Sequence, residues 1–124
     1  MTPSEHNVAV LGATAKPGRF SHQAVLKLKK HGYNVLPLNP RFEEIEGFPV
    51  YRELKDLPQP VHTLTLYVGA AKLDSMVDEV LAAKPQRVIF NPGTESKLLQ
   101  KALSEAGIDW MADCTLIMLD ANKF

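Results

Sequence analysis

The sequence predicts an α/β domain: an open sheet of about five mainly parallel strands with helices on both faces. Three observations point there. Short apolar runs alternate with stretches of helical periodicity along the whole chain. Several of the runs are almost continuously hydrophobic, as strands covered on both faces must be. A glycine-bearing turn, Gly12 to Gly18, separates the first run from the first helical stretch. Parallel strands joined by helices need right-handed crossovers, and these place helices on both sides of the sheet. The expected architecture is a single three-layer, Rossmann-like domain over residues 1–124.

Each element has its own signal. Residues 8–11 form a buried strand ending at Gly12. A helix is expected over 21–31, with Ala24, Val25 and Leu28 on one face, Ser21 as N-cap and Gly32 as stop. Residues 35–38 are the second strand. Pro37 removes one ladder donor there, which places that strand toward an edge. Residues 48–51 read as a short extended piece, and 52–57 as one or two helical turns stopped by Pro58 and Pro60. Residues 61–68 are the third strand. Leu73, Met76, Val77, Val80 and Leu81 follow helical spacing without a miss, so one continuous helix is expected. Residues 87–90 are the fourth strand. Leu98, Leu99, Ala102, Leu103 and Ala106 mark the last long helix, ended by Gly107. Residues 108–111 are the fifth strand, and the apolar tail 115–119 packs back onto the body.

Composition narrows the function. Hydrophobic residues make up 45% and charged residues 23%, with a net charge of zero, so nothing draws the chain as a whole to nucleic acid or to an anionic membrane. Any cationic site must be local. One cysteine, Cys114, rules out an intrachain disulfide and suits a reducing, cytoplasmic setting. No charged leader or long apolar span is visible.

Ligands of such sheets sit beyond the C-terminal strand ends, where strand order reverses. That rule selects four turns, at 12–21, 39–42, 68–71 and 91–94. In the first, Gly12 permits a tight turn and Gly18 a close backbone approach. Thr14 and Ser21 offer hydroxyls, and Lys16 and Arg19 offer charge beside a helix start, a natural pyrophosphate seat. The glycine spacing matches neither G-x-G-x-x-G nor the Walker loop, which weakens an ordinary NAD site and an NTPase. In the second turn, Arg41 stands where NAD domains carry a ribose-binding acid. A guanidinium there suits a phosphorylated ribose. Pyrophosphate plus ribose phosphate describes NADP or coenzyme A.

At this point the chain resembles the small stand-alone CoA-binding proteins, which share the CoA-binding domain of the succinyl-CoA synthetase alpha subunit. Gly12-Ala13-Thr14-Ala15-Lys16-Pro17-Gly18-Arg19-Phe20 is similar to that family's G-x-T-x-K-x-G-x-F turn. Asn39-Pro40-Arg41 is similar to its N-P-[KR] turn near the adenosine and ribose phosphate. Tyr67-Val68-Gly69 falls where the family contacts adenine and ribose, and Asn91-Pro92-Gly93-Thr94 where it faces pantetheine. Two departures stand out. The fourth strand ends Ile89-Phe90-Asn91-Pro92-Gly93 instead of W-x-Q-x-G, and the tail Ala112-Asp113-Cys114 lacks the family's arginine.

The resemblance implies a binding module for coenzyme A or an acyl-CoA; Ser21, just past the matched turn, is the further hydroxyl expected to bind there. No catalytic residue is expected. His6, His22, His31 and His62 are scattered without metal-ligand spacing, and only His22 falls near the proposed pyrophosphate. Cys114 has no histidine placed beside it. Asp113 has no paired carboxylate. The alternatives are an NADP-dependent reductase, for which Tyr33 and Tyr51 lack a companion lysine, and a CoA-binding subunit of a larger acyl-CoA enzyme. A homodimer or a partner enzyme chain is the candidate assembly.

Overall fold

The computed structural model describes residues 2–124. Five parallel strands form the main sheet: β1 (Asn7–Leu11), β2 (Asn34–Leu38), β5 (Thr63–Leu66), β6 (Arg87–Phe90) and β7 (Asp109–Ala112), in the order β2-β1-β5-β6-β7. A small antiparallel hairpin, β3 (Glu44–Ile45) with β4 (Phe48–Pro49), forms a separate sheet packed beside β2. The α/β, Rossmann-like architecture expected from the alternating pattern is the one observed.

Strand alternation builds two cores. Ala9 and Leu11 of β1 face one side with Leu64, Leu66, Val88 and Phe90. There they meet Leu73 of α2 (Ala70–Asp74), Val80 of α3 (Val77–Ala83), and Leu99 and Leu103 of α4 (Lys97–Glu105). Val8 and Val10 face the other side, against Val25 and Leu28 of α1 (Phe20–Lys30) and Leu119 of α5 (Thr115–Asp120). Each fully buried leucine contributes about 2 kcal/mol by leaving water.

β2 lies at the sheet edge, with Pro37 opposite Val10. Beyond Pro37 the edge is covered: Tyr51 N–H donates to the Pro37 carbonyl at 2.8 Å and Asn39 N–H to the Tyr51 carbonyl at 3.0 Å. The chain leaves β1 on one side for β2 and returns on the other for β5. Strand order therefore reverses at β1, and the crevice opens between the turns after β1 and β5.

Two expectations need correction. The continuous helix over 73–81 is broken into α2 and α3. Ser75 Oγ donates to the Lys72 carbonyl at 2.6 Å, and Met76 N–H turns back to Leu73 at 2.9 Å, closing a tighter three-residue loop. Both halves still present Leu73, Met76 and Val80 to the core, which is why the spacing looked unbroken. The N-cap of α1 is Arg19, two residues before Ser21. The apolar tail packs back onto the body as expected, as the helix α5, and Lys27 Nζ donates to Asp120 Oδ1 at 2.7 Å to hold it against α1. Among the described residues no helix is long and apolar enough to cross a membrane.

Candidate functional site

Gly12 fixes the geometry. Its φ is +87°, and a Cβ there would lie 2.9 Å from Val68 Cγ1 and 3.0 Å from the Tyr67 carbonyl oxygen. Only glycine lets the turn after β1 pack against the turn after β5. The loop then curls outward. Thr14 Oγ1 accepts from Lys16 N–H at 3.2 Å, and Gln23 Nε2 donates to the Gly18 carbonyl at 3.1 Å. Gly18 also has positive φ, +85°, but faces open space.

The start of α1 is uncapped. Arg19 makes no side-chain cap, and the first helical bond runs from Gln23 N–H to the Arg19 carbonyl. The amides of Phe20, Ser21 and His22 have no intrahelical partner, and the helix dipole adds partial positive charge. Lys16 and Arg19 are exposed, and neither joins an ion pair among the described residues.

These groups border a central cavity of about 520 Å³. The first turn supplies Gly12, Thr14, Lys16, Arg19, Phe20 and Ser21, and the third turn supplies Tyr67, Val68 and Gly69. The fourth turn closes it with Pro92, Gly93 and Thr94. Ala13 is fully buried behind the wall, while Ala15 is exposed outside it.

An edge cavity of about 360 Å³ adjoins the central one through Gly12 and Val68. Asn39 and Pro40 line it. Asn39 Nδ2 donates to the Ala13 carbonyl at 2.8 Å, tying the second turn to the first, and Asn39 Oδ1 accepts from Arg41 N–H at 2.8 Å. Arg41 is exposed and stands outside the cavity wall. The arginine that lines the wall is Arg52, with Lys72 of α2 as a further basic residue. Sequence reasoning missed Arg52. Its signal was the extended piece ending at Tyr51: once Tyr51 pairs beside Leu38, residue 52 lies along the second turn. Glu53 and Glu79 also line this cavity and suit hydroxyl or amine donors.

The third turn is divided by strand alternation. Val68 belongs with the α2–α4 core and the edge cavity, whereas Tyr67 belongs with the α1–α5 core. Tyr67 therefore lines the central cavity and does not reach the edge cavity. Its OH is buried near the Thr65 and Thr115 hydroxyls, which bond each other at 2.8 Å and leave it outside good hydrogen-bond geometry. Burial, then the nearby Cys114 thiol, pushes the phenol up to about 12.

Tyr67, Phe20 and Pro92 also border a third, apolar cavity of about 210 Å³, completed by Asn91, Cys114 and Leu116. Asn91 is buried and fully committed. Its Nδ2 donates to Thr65 Oγ1 at 2.7 Å and to the Leu66 carbonyl at 2.8 Å, and its Oδ1 accepts from Thr115 N–H at 2.9 Å. Thr94 Oγ1 donates to the Asn91 carbonyl at 2.8 Å. Both side chains hold the fourth turn in shape. Pro92 and Gly93 are its exposed residues.

His22 points elsewhere. It is buried against the β3–β4 hairpin, with Nε2 3.3 Å from Glu46 Oε2. His6 and His62 are not isolated: their ring centroids lie 3.4 Å apart, beside the N-terminal ends of the strands and away from the cavities.

Residues 6–120 match the family described as CoA binding domain. YneT of Bacillus subtilis (strain 168), itself uncharacterized, is 27% identical over 100 residues, covering 81% of this chain and 74% of that protein. The alpha subunit of acetate–CoA ligase (ADP-forming) I of Pyrococcus furiosus is 32% identical over 79 residues. That match covers 59% of this chain and 17% of the subunit, so this chain corresponds to a small part of the larger relative. A solved structure from Thermus thermophilus superposes with a TM-score of 0.88 at 37% identity, covering 96% of this chain and 90% of that one. The phosphate-turn pattern, the reversal of strand order at β1 and a match over residues 6–120 converge, and the chain belongs to the CoA binding domain family.

Proposed function

We propose that the protein binds coenzyme A or an acyl-CoA along its C-terminal strand edge without transforming it. One observation carries the reading: three adjoining cavities run in a row, and their characters follow the ligand's own order. In the central cavity Lys16, Arg19 and the free amides of α1 meet the pyrophosphate. In the edge cavity Arg52 meets the ribose phosphate, with Arg41 adding charge from outside the wall, and Leu11, Leu38 and Val68 give the adenine an apolar wall. Pro92 and Gly93 guide the pantetheine arm toward the apolar cavity.

The same row argues against NADP. A nicotinamide carboxamide at the far end needs hydrogen-bonding partners, and the Asn91 amide there is already committed. A reductase also needs a ready proton donor. A Tyr67 phenol pushed up to about 12 by burial gives up its proton poorly.

Two variants test the assignment. Arg52→Ala should weaken CoA about ten- to a hundredfold, since a charge-assisted phosphate contact contributes about 1.5–3 kcal/mol, and Arg41→Ala, outside the wall, should weaken it less; both should leave 3′-dephospho-CoA nearly unchanged. Equal losses for both ligands would remove the ribose-phosphate role. The match to a ligase alpha subunit favours a second reading, in which the domain serves a separate catalytic chain. Copurification of an ATP-dependent ligase chain would support it.

A further inference from the structure

The apolar cavity beside the central one holds no group suited to a phosphate. Its wall is made of Phe20, Tyr67, Asn91, Pro92, Cys114 and Leu116, with no Asp, Glu, Lys, Arg or His among them. Its polar groups offer little: Asn91 is committed on both sides, the Tyr67 OH is buried, and Cys114 contributes only a weakly polar thiol. Phe20, 70% exposed, lines both this cavity and the central one. Phe20, Tyr67 and Pro92 are shared with the central cavity, so a ligand anchored there by its phosphates has a direct path.

We infer that this cavity seats the acyl group of a thioester, and that the group is short, aliphatic and uncharged. This rests on the CoA-binding reading above and extends it to the ligand's far end. A volume of about 210 Å³ is small for a ligand site. It suits a few carbons. A carboxylated acyl group would meet no cation there and would lose its hydration without compensation. Lys16 and Arg19 line only the central cavity, facing the phosphates.

Calorimetric titration of the whole chain with CoA and with acetyl-, propionyl-, butyryl- and succinyl-CoA tests this. Each added methylene from acetyl to butyryl should tighten binding about fourfold, and succinyl-CoA should bind at least roughly tenfold weaker than butyryl-CoA. Leu116→Trp fills the cavity and should bring the CoA and butyryl-CoA constants together. Leu116→Ala enlarges it and should move the optimum to hexanoyl-CoA. Opposite shifts from one position would not arise from a general loosening of α5. If either variant fails to fold, the native series decides alone. A flat series, or succinyl-CoA bound as tightly as butyryl-CoA, overturns the acyl pocket and leaves CoA binding standing. Absence of binding by CoA and by every thioester overturns both.

Discussion

Gly12 and Gly18 share a left-handed backbone but not an environment. An alanine methyl at Gly12 meets Val68 and the Tyr67 backbone, whereas one at Gly18 meets nothing. Gly12→Ala should therefore cost about 3 kcal/mol and Gly18→Ala about 1 kcal/mol in urea unfolding. Similar losses would contradict the close approach of the two turns. Gly12 is accordingly a poor probe of ligand binding, because its replacement disturbs the fold first. Asn91→Ala strands the Thr115 N–H and the Leu66 carbonyl, both buried, and should also cost about 3 kcal/mol. A loss below about 1 kcal/mol would show that the amide is not a structural pin. The role of Gly12 was legible, since a glycine after a buried run implies a tight turn. That of Asn91 was not, because its partners Thr65 and Thr115 lie 26 and 24 residues away.

At the scale of elements, the end of the sheet opposite the cavities carries its own polar cluster. Thr63 at the start of β5 offers one hydroxyl to three groups: His6 Nε2 at 3.2 Å, His62 Nδ1 at 2.9 Å and Arg87 Nε at 2.8 Å. A hydroxyl donates once, so one imidazole must accept, and both rings cannot be protonated without a donor clash. Burial first, then His62 and Arg87, lowers His6 from 6.5 to about 4, and burial and Arg87 lower His62. Tyr33 and Phe124 complete the surroundings. Because the folded value lies below the unfolded one, the unfolded chain takes up protons first. This share of stability is intact above about 6.5 and is lost progressively as pH falls toward about 4. The thermal midpoint of His6→Phe, which keeps a ring against Tyr33 and Phe124, should drop less between pH 7 and pH 5 than that of the native chain. Equal drops would place the acid sensitivity elsewhere. Histidine spacing gave no hint of this cluster, since parallel pairing brings together residues far apart in the chain. Similarly, the break between α2 and α3 leaves the apolar spacing intact, so periodicity alone reads it as one helix.

For the whole molecule, the five strands, the edge position of β2 and the two-sided core were all legible. They follow from burial on both faces, a missing donor at Pro37 and the handedness of crossovers. The walls of the cavities were legible only in part. Turns at the C-terminal strand ends must converge, but which side chains converge depends on register. Pairing of Tyr51 beside Leu38 brought Arg52 rather than Arg41 to the edge cavity, and alternation sent Tyr67 and Val68 to opposite sides. The central claim is that one continuous row of cavities recognises CoA through both of its phosphate sites. Thermal unfolding with CoA, 3′-dephospho-CoA, NADP and NAD side by side tests it most directly. At about 100 times the dissociation constant, a ligand adds about 2.7 kcal/mol, on the order of 10 °C for a chain of this size. The account predicts the largest rise with CoA, a smaller one with 3′-dephospho-CoA and none with NAD. A rise with NADP alone, or none with CoA, would contradict it.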